Sequence, residues 1–128
     1  MTDDFLIDSA RERELARRFG SELARRREAA GMTQEEAAYR MRIGNQAVSR
    51  LERGAVMPSF KRVFEFAGLF GCRVDELVLA ASDREADQAA VFSELMAGLD
   101  SEDRDDIMAI VRQLARLAAK KRPPARPR

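Results

Sequence analysis

The chain is predicted to be all-α, with five helices making one domain and two more making a C-terminal hairpin. Three observations predict this. Apolar residues recur three and four apart, the spacing that places them on one helical face. Ser, Thr or Asp stands where several of these stripes begin, and Gly stands where several end. A length of 128 residues with 45% hydrophobic residues suits one domain with extensions, not two full domains. The core is expected to be small and aliphatic, because Trp is absent and four of the 7 Phe residues, Phe60, Phe64, Phe66 and Phe70, fall in one helix.

Asp8 or Ser9 caps a first helix that runs to about Ala30, with Leu15, Phe19, Leu23 and Ala30 marking its buried side. Gly31 can take the left-handed conformation that ends it. Thr33-Gln34-Glu35-Glu36 fits a capping box, with the Thr33 hydroxyl on the Glu36 amide and the Glu36 carboxylate reaching back. This second helix is short and buries only Ala37, Ala38 and Met41, because Arg42-Ile43-Gly44 does not continue the period. Gly44 can cap a third helix whose buried stripe is Val48 and Leu51. Ser59 caps a fourth helix that ends at Gly71, and a fifth of one to two turns covers Val74 to Leu79. These elements define a domain over residues 9–81.

Residues 82–119 read as the hairpin. Asp83 to Ala97 is a helix with Ala86, Ala89 or Ala90, Phe92, Leu95 and Met96 apolar, and Gly98-Leu99-Asp100 breaks it. Asp100 caps the last helix, whose first turn holds Glu102 and Asp103 at the positive helix end. Ile107, Ile110, Val111, Leu114, Leu117 and Ala118 form its stripe, and Lys120, Lys121 and Arg122 follow at the negative end. The tail over residues 120–128 is basic, Pro-rich and disordered by composition.

The third helix carries the chemistry. Its outer face holds Asn45, Gln46, Ser49 and Arg50, which a globular core does not need. Asn or Gln can pair bidentately with adenine and Arg with guanine in the major groove, so the face points to double-stranded DNA. The plain alternative is a solvated polar helix face. Net charge agrees with DNA: residues 9–62 carry thirteen Lys and Arg against seven Asp and Glu, whereas residues 63–119 carry five against twelve. A positive half is the footprint of a phosphate-binding face. Arg42, Arg53, Lys61 and Arg62 can clamp the backbone on either side, and the amides and a side chain at Thr33 and Gln34 can meet a phosphate.

Other classes are disfavoured. There is no His, hence neither the commonest general base nor the commonest metal ligand, and no catalytic constellation stands out. Glu102, Asp103, Asp105 and Asp106 lack the Gly and spacing of a calcium loop, so no metal or cofactor is expected. No apolar run approaches the roughly 20 residues of a membrane span. The acidic start MTDDFLID does not read as a secretory signal, and a single Cys cannot make an internal disulfide, so the cytoplasm is expected.

The segment from Gly31 to Gly54 resembles the helix-turn-helix of the phage-repressor and Cro-like family, often called the Xre family. Counting from Gln34, apolar residues fall at the fourth, eighth, tenth, fifteenth and eighteenth positions as Ala37, Met41, Ile43, Val48 and Leu51, with small Ala38 at the fifth. Ser49-Arg50-Leu51-Glu52-Arg53-Gly54 is similar to the family's end of the recognition helix, and Pro58-Ser59-Phe60 and Phe66 to Leu77 resemble its fourth and fifth helices. The likeness covers roughly Phe19 to Val78 and implies a five-helix lambda-repressor-like DNA-binding domain, extended at its first helix by Arg11 to Arg18. It departs at the ninth position, where Arg42 replaces the usual Gly, and at Arg73, where a Ser or Thr cap is common.

The resemblance further implies that Gln34 touches a phosphate, that Arg27 pairs with Glu52, and that Cys72 is core rather than a redox sensor. It also implies a dimeric regulator, most often a repressor. The hairpin stripe at Ile107, Ile110, Val111, Leu114 and Leu117 then covers either its own domain or the same hairpin of a second chain. The second is expected, since a five-helix domain needs no extra cover. The rival reading is an antitoxin-like module that neutralises a toxin or other protein partner through the hairpin.

Overall fold

In the computed structural model, which describes residues 4–122, one long helix organises the first part of the chain. This is α1 (Ser9–Ala29), and α3 (Asn45–Glu52), α4 (Phe60–Phe70) and α5 (Val74–Ala81) all pack against it. The short α2 (Gln34–Met41) packs on α3 and α4. Two further helices follow, α6 (Glu85–Ala97) and α7 (Ser101–Lys120). The described residues contain no strand. The fold is therefore all-α and lambda-repressor-like, as the sequence predicts. The chain divides into two compact units, the first ending at Val91 and the second starting at Phe92, within α6.

Each helix of the first unit has a local reason to start and stop. Asp8 accepts a hydrogen bond from the Arg11 amide at 2.8 Å, Thr33 from the Glu36 amide at 3.0 Å and Ser59 from the Arg62 amide at 3.2 Å. Such caps satisfy amides that the helix leaves unpaired, each contributing about 1 kcal/mol. At the other end, Arg42 closes α2 with φ 58 and ψ 41, and the Ile43 amide donates to the Ala38 carbonyl at 3.0 Å. Gly71 closes α4 in the same way with φ 65. Arg42 thus adopts the left-handed geometry despite its Cβ, at a cost of roughly 1–2 kcal/mol. α5 begins regularly after Arg73, whose guanidinium bonds Asp75 at 2.9 and 3.1 Å instead of capping the helix.

The core joins Phe19 and Leu23 of α1, Met41, Leu51, Val63, Phe66, Ala67 and Leu77. It is smaller than the aromatic count suggests. In α4, residues 63, 66, 67 and 70 already fill the inward row, so Phe60 and Phe64 form a second row on the flank. They are 80% and 52% exposed, with their rings edge to face at 5.0 Å. Beside them an apolar groove of about 360 Å³ lies open, lined by Leu15, Phe19, Met57, Val63 and Val78 among others. The expectation that the five-helix domain needs no further cover is thus not met. Ala30 also differs from expectation: it is exposed, because it caps α1 just where Gly31 turns the chain with φ 71.

Neither α6 nor α7 contains a buried residue. α7 starts as expected, with Asp100 accepting from the Asp103 amide at 2.8 Å. Its stripe residues Ile110, Leu114 and Leu117 are exposed, so the two helices do not close a core of their own within one chain. The basic tail expected over 120–128 lies, from residue 123 on, outside the described residues.

Two helices come close at Gly20. A Cβ there would stand 2.5 Å from the Glu52 carbonyl oxygen and nearer still to that of Leu51, so α1 meets the end of α3 backbone to backbone. Gly54, with φ 73, completes the contact: a Cβ on it would lie 2.5 Å from the Arg17 Cα. Gly20→Ala should therefore destabilise the domain although it raises helix propensity. An overpacking cost of about 3 kcal/mol outweighs a gain of about 1 kcal/mol, leaving a net loss of about 2 kcal/mol in denaturant unfolding. An unchanged or raised stability would show that the helices do not cross there.

Candidate nucleic-acid interface

α3 has only eight residues, and its two faces differ completely. Val48 and Leu51 are buried at 1% and 6% exposure, and this inner row fixes which side chains face out. Asn45, Gln46 and Arg50 are exposed, and Ser49 is half-buried beside them. The side chains of Asn45, Gln46 and Arg50 make no hydrogen bond to any described residue, so their donors and acceptors are available. Gly44 caps the helix without a side-chain bond, leaving the first amides of α3 open as well. An uncapped helix start of this kind favours an anion.

A nearly buried ion pair holds this helix in place. The Arg27 Nε donates to Glu52 Oε2 at 2.7 Å and its Nη2 to Glu52 Oε1 at 3.0 Å. Only 13% of the Arg27 side chain and 7% of the Glu52 side chain remain exposed. The third donor, Nη1, reaches the Met32 carbonyl oxygen at 2.8 Å. Hydrogen bonding to Glu52 raises the Arg27 pKa above its ordinary value, so the guanidinium stays charged. The pairing implied by resemblance is therefore present. Gln34 joins it, donating its Nε2 to Glu52 Oε1 at 3.0 Å. The Gln34 amide group expected to face a phosphate is thus partly committed to tying α2 to α3.

The flanking cations sort into two groups. Arg50 and Arg62 line one shallow depression with Ala47, Pro58 and Ser59, so the structure brings these two together. Arg42 lies instead beside Glu65 and Gly68, together with Arg40, a cation that sequence reasoning passed over. Its signal was available, since Arg40 falls outside the Ala37, Ala38, Met41 stripe. Arg62 is paired with Glu65 at 3.0 Å, and Arg53 rests its Nε on the Ser49 carbonyl oxygen at 3.3 Å. Lys61 is exposed, and Thr33 is exposed with its hydroxyl engaged as a cap.

The positive balance of residues 9–62 is unevenly distributed in space. Arg17, Arg18, Arg25, Arg26 and Arg27 of α1 are each paired with a carboxylate from Glu14, Glu22 or Glu52. Arg40, Arg42, Arg50 and Lys61 have no carboxylate partner among the described residues. Cations without a carboxylate partner accordingly stand around α2, α3 and the start of α4, while α1 keeps a surplus of its own with seven Arg against four Glu. Cys72 packs against the core, and burial pushes its thiol pKa up, which disfavours the reactive thiolate.

A family model described as Helix-turn-helix matches residues 23–77. Those residues are a helix-turn-helix domain of the Xre and Cro-like family. Its matched span begins at the buried Leu23 and ends at the buried Leu77, so it contains α2 to α4, the first half of α5 and the end of α1. Families of this kind are DNA-binding regulatory domains rather than enzymes, and the chain is in general terms a DNA-binding transcriptional regulator. No curated protein matches the chain. No helix among the described residues is long and apolar enough to cross a membrane.

Removing one partner of the Arg27–Glu52 pair should strand the other in a site with little water. Glu52→Ala should cost roughly 3 kcal/mol, the lower end for a buried pair because Arg27 keeps some exposure. A double-mutant cycle with Arg27→Ala, read by urea unfolding, should show the two losses failing to add. Simple additivity would mean that the pair contributes nothing jointly.

Proposed function

We propose that the chain is a dimeric, sequence-specific transcriptional repressor acting on a pseudo-palindromic operator in double-stranded DNA. One observation carries the reading: three exposed polar side chains of α3, Asn45, Gln46 and Arg50, have no partner among the described residues and sit beside cations that lack a carboxylate partner among them. α3 enters the major groove, where Asn45 and Gln46 pair with adenine edges and Arg50 with guanine. Ser49 contacts a thymine methyl or a phosphate beside them.

Phosphate contacts orient the helix without reading sequence. Thr33 and Gln34 supply the start of α2, and Arg42, Arg53, Lys61 and Arg62 clamp the strands on either side. Arg62 must exchange Glu65 for a phosphate, so its net contribution is smaller than that of Lys61. Two copies present two α3 helices about one helical turn of DNA apart, roughly 34 Å. Occupying that stretch excludes polymerase, which is repression by occlusion. The stripe of half-buried Ile107 and exposed Ile110, Val111, Leu114 and Leu117 supplies the homodimer contact. Work on DNA in this manner belongs in the cytoplasm.

Affinity should fall steeply with salt, because each neutralised phosphate releases counterions. Fluorescence anisotropy on the preferred duplex and on scrambled duplexes separates the contributions. Arg50→Ala should lose about 1–3 kcal/mol of discrimination between them. Lys61→Ala should weaken both duplexes about equally and flatten the salt slope, and Arg62→Ala should do the same to a lesser degree. Equal affinity of the wild type for every duplex at physiological salt would sink the sequence-specific reading. Unchanged selectivity in Arg50→Ala would move the reading face off this side of α3.

A further inference from the structure

The C-terminal helix carries a pattern that selects how two copies meet. Ile107, Ile110, Leu114 and Leu117 of α7 alternate three and four apart, the repeat of a two-helix seam. None of α7 is buried within the chain, and Ile110, Leu114 and Leu117 are 56%, 59% and 55% exposed. Charge is divided along the same helix. Residues 102–106 hold four acids and one Arg, whereas residues 112–122 hold five bases and no acid. A helix that is apolar on one side, acidic at its start and basic at its end complements a second copy of itself turned end for end.

We infer that α7 forms an antiparallel two-helix seam with α7 of a second copy, centred near Arg112. This specifies the partner and direction of the dimer contact in the function proposed above, and it rests on that reading. In this alignment Ile107 meets Leu117 of the second copy and Ile110 meets Leu114 of the second copy. Asp103 then faces Lys121 across the seam at each end, and Asp106 approaches Lys120. Val111 meets its own counterpart at the axis on one flank and Gln113 on the other. A parallel alignment keeps the apolar layers but sets Asp103 against Asp103 and Lys121 against Lys121, so like charges oppose at both ends. Charge therefore decides the direction, while apolar burial drives the association.

The test uses the full chain with Cys72→Ser to leave a single labelling position, Ser101→Cys, at the start of α7. Spin labels there should lie roughly 30 Å apart in the antiparallel seam, from the 1.5 Å rise per residue over 22 residues. They should lie roughly 10 Å apart in a parallel one, the usual spacing of packed helices. Sedimentation should show a dimer for the wild type and a monomer for Ile110→Asp/Leu114→Asp. Asp103→Lys/Asp106→Lys should weaken dimerisation at least tenfold, and mixing it with Lys120→Asp/Lys121→Asp should restore a dimer. A short label distance overturns the inference. So does a dimer that survives both the Ile110→Asp/Leu114→Asp and the Asp103→Lys/Asp106→Lys changes, or a wild-type chain that sediments as a monomer. Duplex titration of the same proteins keeps the two readings apart: a monomer that still selects one DNA sequence leaves α3 as the reading helix and removes only the α7 seam.

Discussion

The bidentate pair between Arg27 and Glu52 is the constraint on which the rest of the domain depends. An isolated helix of eight residues does not hold together in water, and α3 has just eight. Its shape comes from tertiary contacts at its C-terminal end and along one side. Glu52 anchors the C-terminal end to α1, Gln34 ties the same carboxylate to α2, and the Met32 carbonyl oxygen uses the remaining face of the guanidinium. Gly20 and Gly54 let the backbones come close enough for this geometry. Val48 and Leu51 then lock rotation about the helix axis, so that Asn45, Gln46 and Arg50 point away from the protein together. A buried ion pair is a poor source of net stability, because desolvation offsets most of the attraction. Its value here is positional: it admits one arrangement of α1, α2 and α3.

Much of this was legible in the sequence because short-range chemistry governs it. The Thr33 cap and the buried pair Val48 and Leu51 follow from side-chain type and helical period alone. The pairing of Arg27 with Glu52 spans 25 positions and was legible only through family resemblance. Other features depend on distances that no local pattern encodes. Phe60 and Phe64 look like core by composition, yet the inward row of α4 was already filled by Val63, Phe66, Ala67 and Phe70. Gln34 looks like a free surface amide until α3 brings Glu52 within 3.0 Å of it. Arg42 shows the converse, a residue whose type argues against the left-handed turn but whose position between two packed helices requires it.

Electrostatics shows most clearly how structure refines composition. The count of charges in the N-terminal half gave the correct sign of the half but not its location. In space, Glu14 and Glu22 are each shared by two arginines of α1, whereas Arg40, Arg42, Arg50 and Lys61 around α3 have no carboxylate partner among the described residues. The same reasoning applies to α7, where the order of acids and bases along the helix matters more than their sum. In both cases the informative quantity is which charges lack a partner.

The central claim is that α3 reads DNA sequence and that two copies of it do so together. Selection of bound duplexes from a random pool, followed by sequencing, tests this most directly. The account predicts enrichment of an inverted repeat with half-site centres one helical turn apart, about 10 base pairs, and with purine positions that lose enrichment when Gln46 or Arg50 is replaced. Recovery of no preferred sequence, or of a preference indifferent to both replacements, would contradict it.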